Sequence, residues 1–152
     1  MRVLPERVVS GGQTGADRAA LDWAIARGIA HGGWCPRGRR AEDGTIAVRY
    51  ALLETPSRDY QQRTRWNVRD SDGTLIVSLA GGLSGGSAYT ARCAERIGRP
   101  WQHVHPGADD AESIRSFLGQ HRIRTLNIAG PRVSTDPGIY EYVLAMLDRL
   151  AG

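Results

Sequence analysis

The sequence predicts a three-layer α/β fold in which a mostly parallel sheet of about six strands carries helices on both faces. Short apolar runs alternate with amphipathic stretches along all 152 residues. Most apolar runs end in a small polar or glycine-rich corner that leads directly into the next helix. No linker, internal repeat or low-complexity segment interrupts this rhythm, so residues 1–152 read as a single domain.

Taken in order, residues 8–10 are the first strand, and the helix over 16–27 follows after a very tight corner, burying Ala20, Leu21, Ala24 and Ile25 before Gly28 stops it. Strands are expected at 28–33 and 48–54, the second leading to a polar, arginine-rich helix over 57–70. The apolar run at 74–79 is a buried strand. A helix over 88–97 follows "GGLSGGS" and ends at Gly98, with Pro100 beyond it. Strands at 101–105 and 125–129 flank a helix over 110–120. The last helix spans 137–150, and Pro137 suits its first turn. In a parallel sheet of this kind ligands bind outside the carboxyl ends of the strands. The corners "SGGQTG", "CPRGR", "ET", "AGGLSGGS" and "AGPR" would all line that edge.

The composition excludes several classes. The net charge is +4, and all twenty basic residues are arginine. Without lysine there is no Schiff base to pyridoxal phosphate and no Walker A loop. Every cation is instead a planar fork suited to carboxylate or phosphate. Acidic residues are interspersed with the arginines, which argues against a nucleic-acid stripe. No run approaches membrane-spanning length, and the start "MRVLPERVVS" lacks an apolar signal region, so a cytoplasmic protein is expected. Cys35 and Cys93 lie apart, without metal-ligand spacing, and read as reduced structural thiols.

The corner Gly11-Gly12-Gln13-Thr14-Gly15 joins a strand to a helix, where backbone N–H groups and the helix dipole favour an anion. A ligand-free turn would use the same glycines. The dinucleotide fingerprint lacks its leading glycine and its later acidic residue, which disfavours NAD. Asp17, in the first helical turn beside Arg18, either steadies the helix dipole or accepts from a ligand. The second such corner contributes Ser84, Gly85, Gly86, Ser87 and Thr90. Its strand is expected beside the first, so two helix N-termini would point into one space. With one or two arginines this could hold a phosphate-sized anion with about micromolar affinity. Arg37 and Arg39, within Pro36-Arg37-Gly38-Arg39, are candidates for those arginines or a solvated surface run. Arg63, Thr64 and Asn67 share a helix face near Glu54 and Thr55, as ligand contacts or as a buried polar network. His103 and His105 share a strand face, but no carboxylate or cysteine stands near them, and no metal site is expected. The four tryptophans read as packing residues, with Trp34 a candidate to stack on a flat ring.

The ordered blocks "SGGQTGADRAALDWA", "CPRGRRAEDG", "YALLET", "YQQRTRWNVRDSDGTLI", "SGGSAYT" and "NIAGPR" resemble the putative molybdenum carrier family. These are small Rossmann-like proteins related to molybdenum cofactor carriers and, more distantly, to the LOG phosphoribohydrolases. The resemblance implies a homodimer or homotetramer with an anionic cofactor or nucleotide at the glycine-rich edge, molybdenum cofactor (molybdopterin) foremost. The hydrolase loop G-G-x-G-T-x-x-E carries a catalytic glutamate, and Thr90 falls in its place here. A hydroxyl cannot do that acid–base work at neutral pH. A binding protein is therefore expected, with no catalytic residue. A phosphoribohydrolase recruiting Glu54 is the alternative, and a nucleic-acid or nucleotide sensor a second. Cys35 is a conceivable molybdenum ligand.

Overall fold

The structure, a computed structural model describing residues 4–107 and 109–152, has at its centre a five-stranded parallel sheet in the order β2-β1-β9-β7-β8. Its strands are β1 (Arg7–Val9), β2 (Ala30–Gly32), β7 (Gly73–Val77), β8 (Trp101–Val104) and β9 (Thr125–Ala129). Two small pairs lie apart from it, β3 (Trp34–Cys35) with β6 (Leu53–Glu54), and the hairpin β4 (Arg40–Ala41) with β5 (Gly44–Thr45). The helices are α1 (Ala16–Ala26), α2 (Tyr60–Arg69), α3 (Gly85–Ile97), α4 (Asp110–Gln120) and α5 (Ile139–Ala151). This is the Rossmann-like α/β layout expected.

Alternation along the strands sorts the two faces. Val8, Leu75, Val77, Val104, Leu126 and Ile128 are buried in one apolar cluster with α1, α4 and α5. Ala16, Ala19, Ala20 and Ala24 give α1 a small-residue face with no exposure, which lets α5 pack closely. The opposite face, toward α2 and α3, is more polar. Here Asn127 donates to the Thr74 hydroxyl (3.2 Å), and just past β1 Ser10 donates to the Ile128 carbonyl (2.7 Å). The sheet is buried on both faces, so these groups need partners inside the protein.

Two differences from expectation matter for the site. Residues 48–54 do not join the main sheet. Apart from the two-residue β6 they form a loop, with Ile46, Tyr50 and Leu52 buried against Leu21 and Cys35 in a second cluster. The strands preceding the two glycine-rich corners, β1 and β7, are also not neighbours, because β9 lies between them. Adjacency in sequence carries no signal for an inserted last strand. Among the described residues, no helix is long and apolar enough to cross a membrane.

Candidate functional site

Three corners at the carboxyl edge of the sheet, those after β1, β7 and β9, surround a cavity of about 670 Å³. That volume suits a ligand of nucleotide size. Of the residues expected at a site, Gly11, Gln13, Asp17, Arg63, Asn67, Ser84, Gly85, Gly86, Ser87 and Thr90 line it. The separation of β1 from β7 therefore does not part the two corners, since both open onto the space above β9.

The first corner spends most of its donors internally. The Thr14 N–H donates to Gln13 Oε1 (3.0 Å), the Gln13 N–H to Asp17 Oδ2 (3.3 Å), and the Ala16 N–H to the Pro131 carbonyl (3.2 Å). Glycine at position 11 makes room for a cation, because a Cβ there would overlap the Arg63 guanidinium. Arg63 donates to the Gly11 carbonyl at 3.1 Å and stands 3.5 Å from Asp17, with both side chains largely buried. Burial pushes the Asp17 carboxyl up, against the downward pull of Arg63 and the Gln13 N–H.

The second corner is the open one. Helix α3 begins at Gly85, three residues earlier than the sequence suggests, and Ser84 at its N-cap makes no side-chain capping bond. Thr90 turns its hydroxyl back to the Gly86 carbonyl at 2.9 Å. The first turn thus faces the cavity with its dipole uncompensated by an acidic side chain.

The remaining expected residues lie outside this cavity. Gly12 packs on Leu52 and Ile46, whose methyl carbons come within 2.7 and 2.9 Å of a Cβ built on it. Thr14 bonds Glu42, and Gly15 packs on the Pro131 carbonyl. Arg18 binds Asp43 at 2.6 Å and the Gly12 carbonyl at 2.9 Å. Pro36 is buried and Arg37 exposed. Arg39, which could have neutralised an anion, instead donates to the carbonyls of Ile46, Ala47, Tyr50 and Leu52 and so folds the segment between β4 and β6. Glu54 is exposed and accepts from the Gly38 N–H at 2.7 Å, while Thr55 is buried against the Cys35 carbonyl. Cys35 is fully buried, and burial pushes its thiol up. Trp34 is held by Asp70 (2.8 Å) and packs edge-on to Trp66 at 4.7 Å. Asn67, though at the cavity, is committed to the Trp34 backbone in both directions. His103 meets the Ser78 hydroxyl at 2.6 Å, and burial together with His105 lowers its pKa. Among the described residues, no three His, Cys, Asp or Glu side chains form a group that could hold a metal ion.

The sequence reading placed the corner after β9 at this edge but singled out no residue in it, and it missed two tyrosines. Arg132, in the corner after β9, lines the cavity and lies 5.3 Å from the Tyr60 ring, whose other neighbours include Arg63 at 5.2 Å and Arg40 at 5.4 Å. Arg92 lies 5.7 Å from the Tyr89 ring at the same cavity. Such stacking leaves guanidinium N–H groups available in the ring plane. The signal was present as "AGPR" after a predicted strand. The hairpin tip between β4 and β5 holds this corner in place, since Glu42 accepts from Thr14 and from the Ser134 hydroxyl and N–H. Those bonds hold the Glu42 carboxyl below its ordinary pKa.

Comparison with known proteins agrees with this layout. Residues 8–151 match the circularly permutated YpsA SLOG family. The crystal structure of a "Putative molybdenum carrier protein" from Syntrophus aciditrophicus SB superposes with a TM-score of 0.94 at 47% identity, covering 97% of this chain and 96% of that one. No curated protein matches.

Proposed function

We propose that this chain, which belongs to the circularly permutated YpsA SLOG family, is a binding or carrier protein for an anionic, phosphorylated, ring-containing small molecule. Molybdenum cofactor, or a related pterin or nucleotide, is the class it takes. The observation that carries the reading is the convergence on one cavity of the uncapped α3 N-terminus, Arg63, Arg92 and Arg132. A helix terminus offers about 0.3–2 kcal/mol to an anion, and charge-assisted hydrogen bonds add about 1.5–3 kcal/mol each. Together these reach the roughly 8 kcal/mol of micromolar binding.

The residues present fit such a guest. Gly85, Gly86 and Ser87, with Arg132 and Arg92, would take the phosphate, and Tyr60 and Tyr89 offer flat faces for a ring. Gln13, at the cavity, keeps a buried amide Nε2 that no group among the described residues satisfies. Molybdenum cofactor, where bound, supplies its own redox-active metal, and the chain's part is to hold and shield it. The name of the Syntrophus structure points the same way. The phosphoribohydrolase alternative gains nothing comparable, because Glu54 sits on the surface away from the cavity. In this reading residues 1–152 act as one carrier-type domain in the cytoplasm, as a homodimer or homotetramer, an assembly that light scattering measures.

Native mass spectrometry of the freshly purified protein tests the proposal. The expected result is a retained small molecule that is lost in Arg132→Ala. A ligand at a hundred times its dissociation constant adds about 2.7 kcal/mol, so thermal shifts of about 5–10 °C should be lost with it. A phosphorylated guest retained equally by Arg132→Ala and Arg63→Ala would put the binding site elsewhere.

A further inference from the structure

We infer that the inner wall of the cavity reads a lactam edge, with Gln13 donating to a ring carbonyl and Asp17 accepting from the adjacent ring N–H. The guest is then an oxo-substituted heterocycle such as guanine, hypoxanthine or a 4-oxopterin, in preference to an amino-substituted one such as adenine. This rests on the reading of the cavity as a site for a phosphorylated ring compound.

Gln13 is 4% exposed and its amide orientation is fixed. Two backbone N–H groups, those of Thr14 (3.0 Å) and Glu42 (2.8 Å), donate to Oε1. Backbone N–H groups can only donate, so the other end of the amide must be the nitrogen. That Nε2 is buried and has no partner among the described residues, although Gln13 lines the cavity. A buried donor left unpaired is costly. The cavity is where its acceptor can come from.

Asp17 stands beside it. The carboxylate is 5% exposed, lines the same cavity, and receives the Gln13 backbone N–H and Arg63 on Oδ2. A carboxylate has about four acceptor positions, so these two bonds leave room for a guest. Gln13 and Asp17, joined through the Gln13 backbone N–H, both line the cavity and together offer it a donor and an acceptor, the complement of a carbonyl next to an N–H. Adenine offers a single ring lone pair and an amine to the same groups. A lactam N–H is also more acidic than an aromatic amine and so the stronger donor to a desolvated carboxylate. The Gln13–Asp17 pair reads the ring, and the arginines and the α3 N-terminus hold the phosphate.

Calorimetric titration with GMP, IMP, AMP and ribose 5-phosphate tests this in the wild type and in Gln13→Glu. The variant keeps an acceptor for the Thr14 and Glu42 N–H groups but replaces the NH₂ with oxygen. GMP and IMP should bind the wild type about tenfold or more tighter than AMP, as sites built around buried hydrogen bonds discriminate. In Gln13→Glu that preference should vanish. Gln13→Met, apolar and of similar length, should give the same loss and serves if the glutamate variant does not fold. Equal affinity for AMP and GMP, or a preference unchanged in both variants, overturns the lactam reading alone. Failure of all four phosphates to bind overturns it together with the anion site.

Discussion

Replacing Gly15 with alanine separates the structural glycines of this edge from those that face the cavity. Gly15 has φ 84° and ψ −126°, a region that side chains avoid. A Cβ there would lie 2.5 Å from the Pro131 carbonyl oxygen, 2.9 Å from Ile139 and 3.0 Å from the Val133 nitrogen. The backbone strain costs about 1–3 kcal/mol. Forcing the β9 corner away adds about 1–3 kcal/mol of overpacking and strains the Ala16 N–H bond to Pro131 (3.2 Å). A loss of about 2–6 kcal/mol corresponds, for a chain of this size, to a fall of about 5–20 °C in melting temperature. The control is Gly86→Ala. Apart from its chain neighbours and its own helix backbone, no atom of the described residues lies within 4 Å of a Cβ at Gly86, and alanine in a helix gains about 0.5–1 kcal/mol over glycine. Thermal unfolding of both variants at one protein concentration, without ligand, is the assay. A Gly15→Ala loss below about 1 kcal/mol, or a Gly86→Ala loss of similar size, would refute the division between the two corners.

Arg39→Ala should destabilise the protein by about 2–4 kcal/mol, since four carbonyls lose a charged donor. Limited proteolysis should then cut between residues 39 and 52, while binding at the cavity is unchanged. Tyr50 and Tyr140 both donate to Asp22 (2.6 and 2.5 Å), and burial, followed by Asp22, pushes each hydroxyl from 10.0 up to about 12. The folded state holds those protons longer than the unfolded chain. Their contribution is therefore complete below pH 10 and is lost as the pH rises toward 12. Absorbance titration at alkaline pH should show both phenols ionising late, and earlier in Asp22→Asn, where burial alone remains. A thiol-reactive dye should label Cys93 rapidly in native protein and Cys35 only on unfolding, because Cys35 is fully buried with its thiol pushed up.

Much of this architecture is visible in local pattern. Glycine and proline punctuation marked the ends of α1 and α3 at Gly28 and Gly98, and the apolar run 73–77 is a fully buried strand. The glycine-rich corners were legible because tight strand–helix turns demand those residues. What each arginine does was not. Arg37, Arg39, Arg63 and Arg132 carry the same charge. One is exposed, one folds a loop through four carbonyls, and two reach the cavity. That outcome depends on which carbonyls the fold leaves unpaired, and such long-range partners leave no trace in spacing. Glu54 and Thr55 were placed at the site because their corner follows an apolar run. The run pairs only with β3, outside the main sheet, which carries both residues away.

The position of β9 has a consequence for how the molecule can be made. Strand β1 and strand β7 each hydrogen-bond to β9 and not to one another, so the amino-terminal and middle portions share no sheet until residues 125–129 arrive. A ribosome must release the chain through residue 129 before the two halves can be joined, and that closure links β1 to a strand more than a hundred residues away, which slows folding. Truncation ahead of β9 should leave one aggregation-prone chain whose two halves share no sheet rather than a smaller version of the protein.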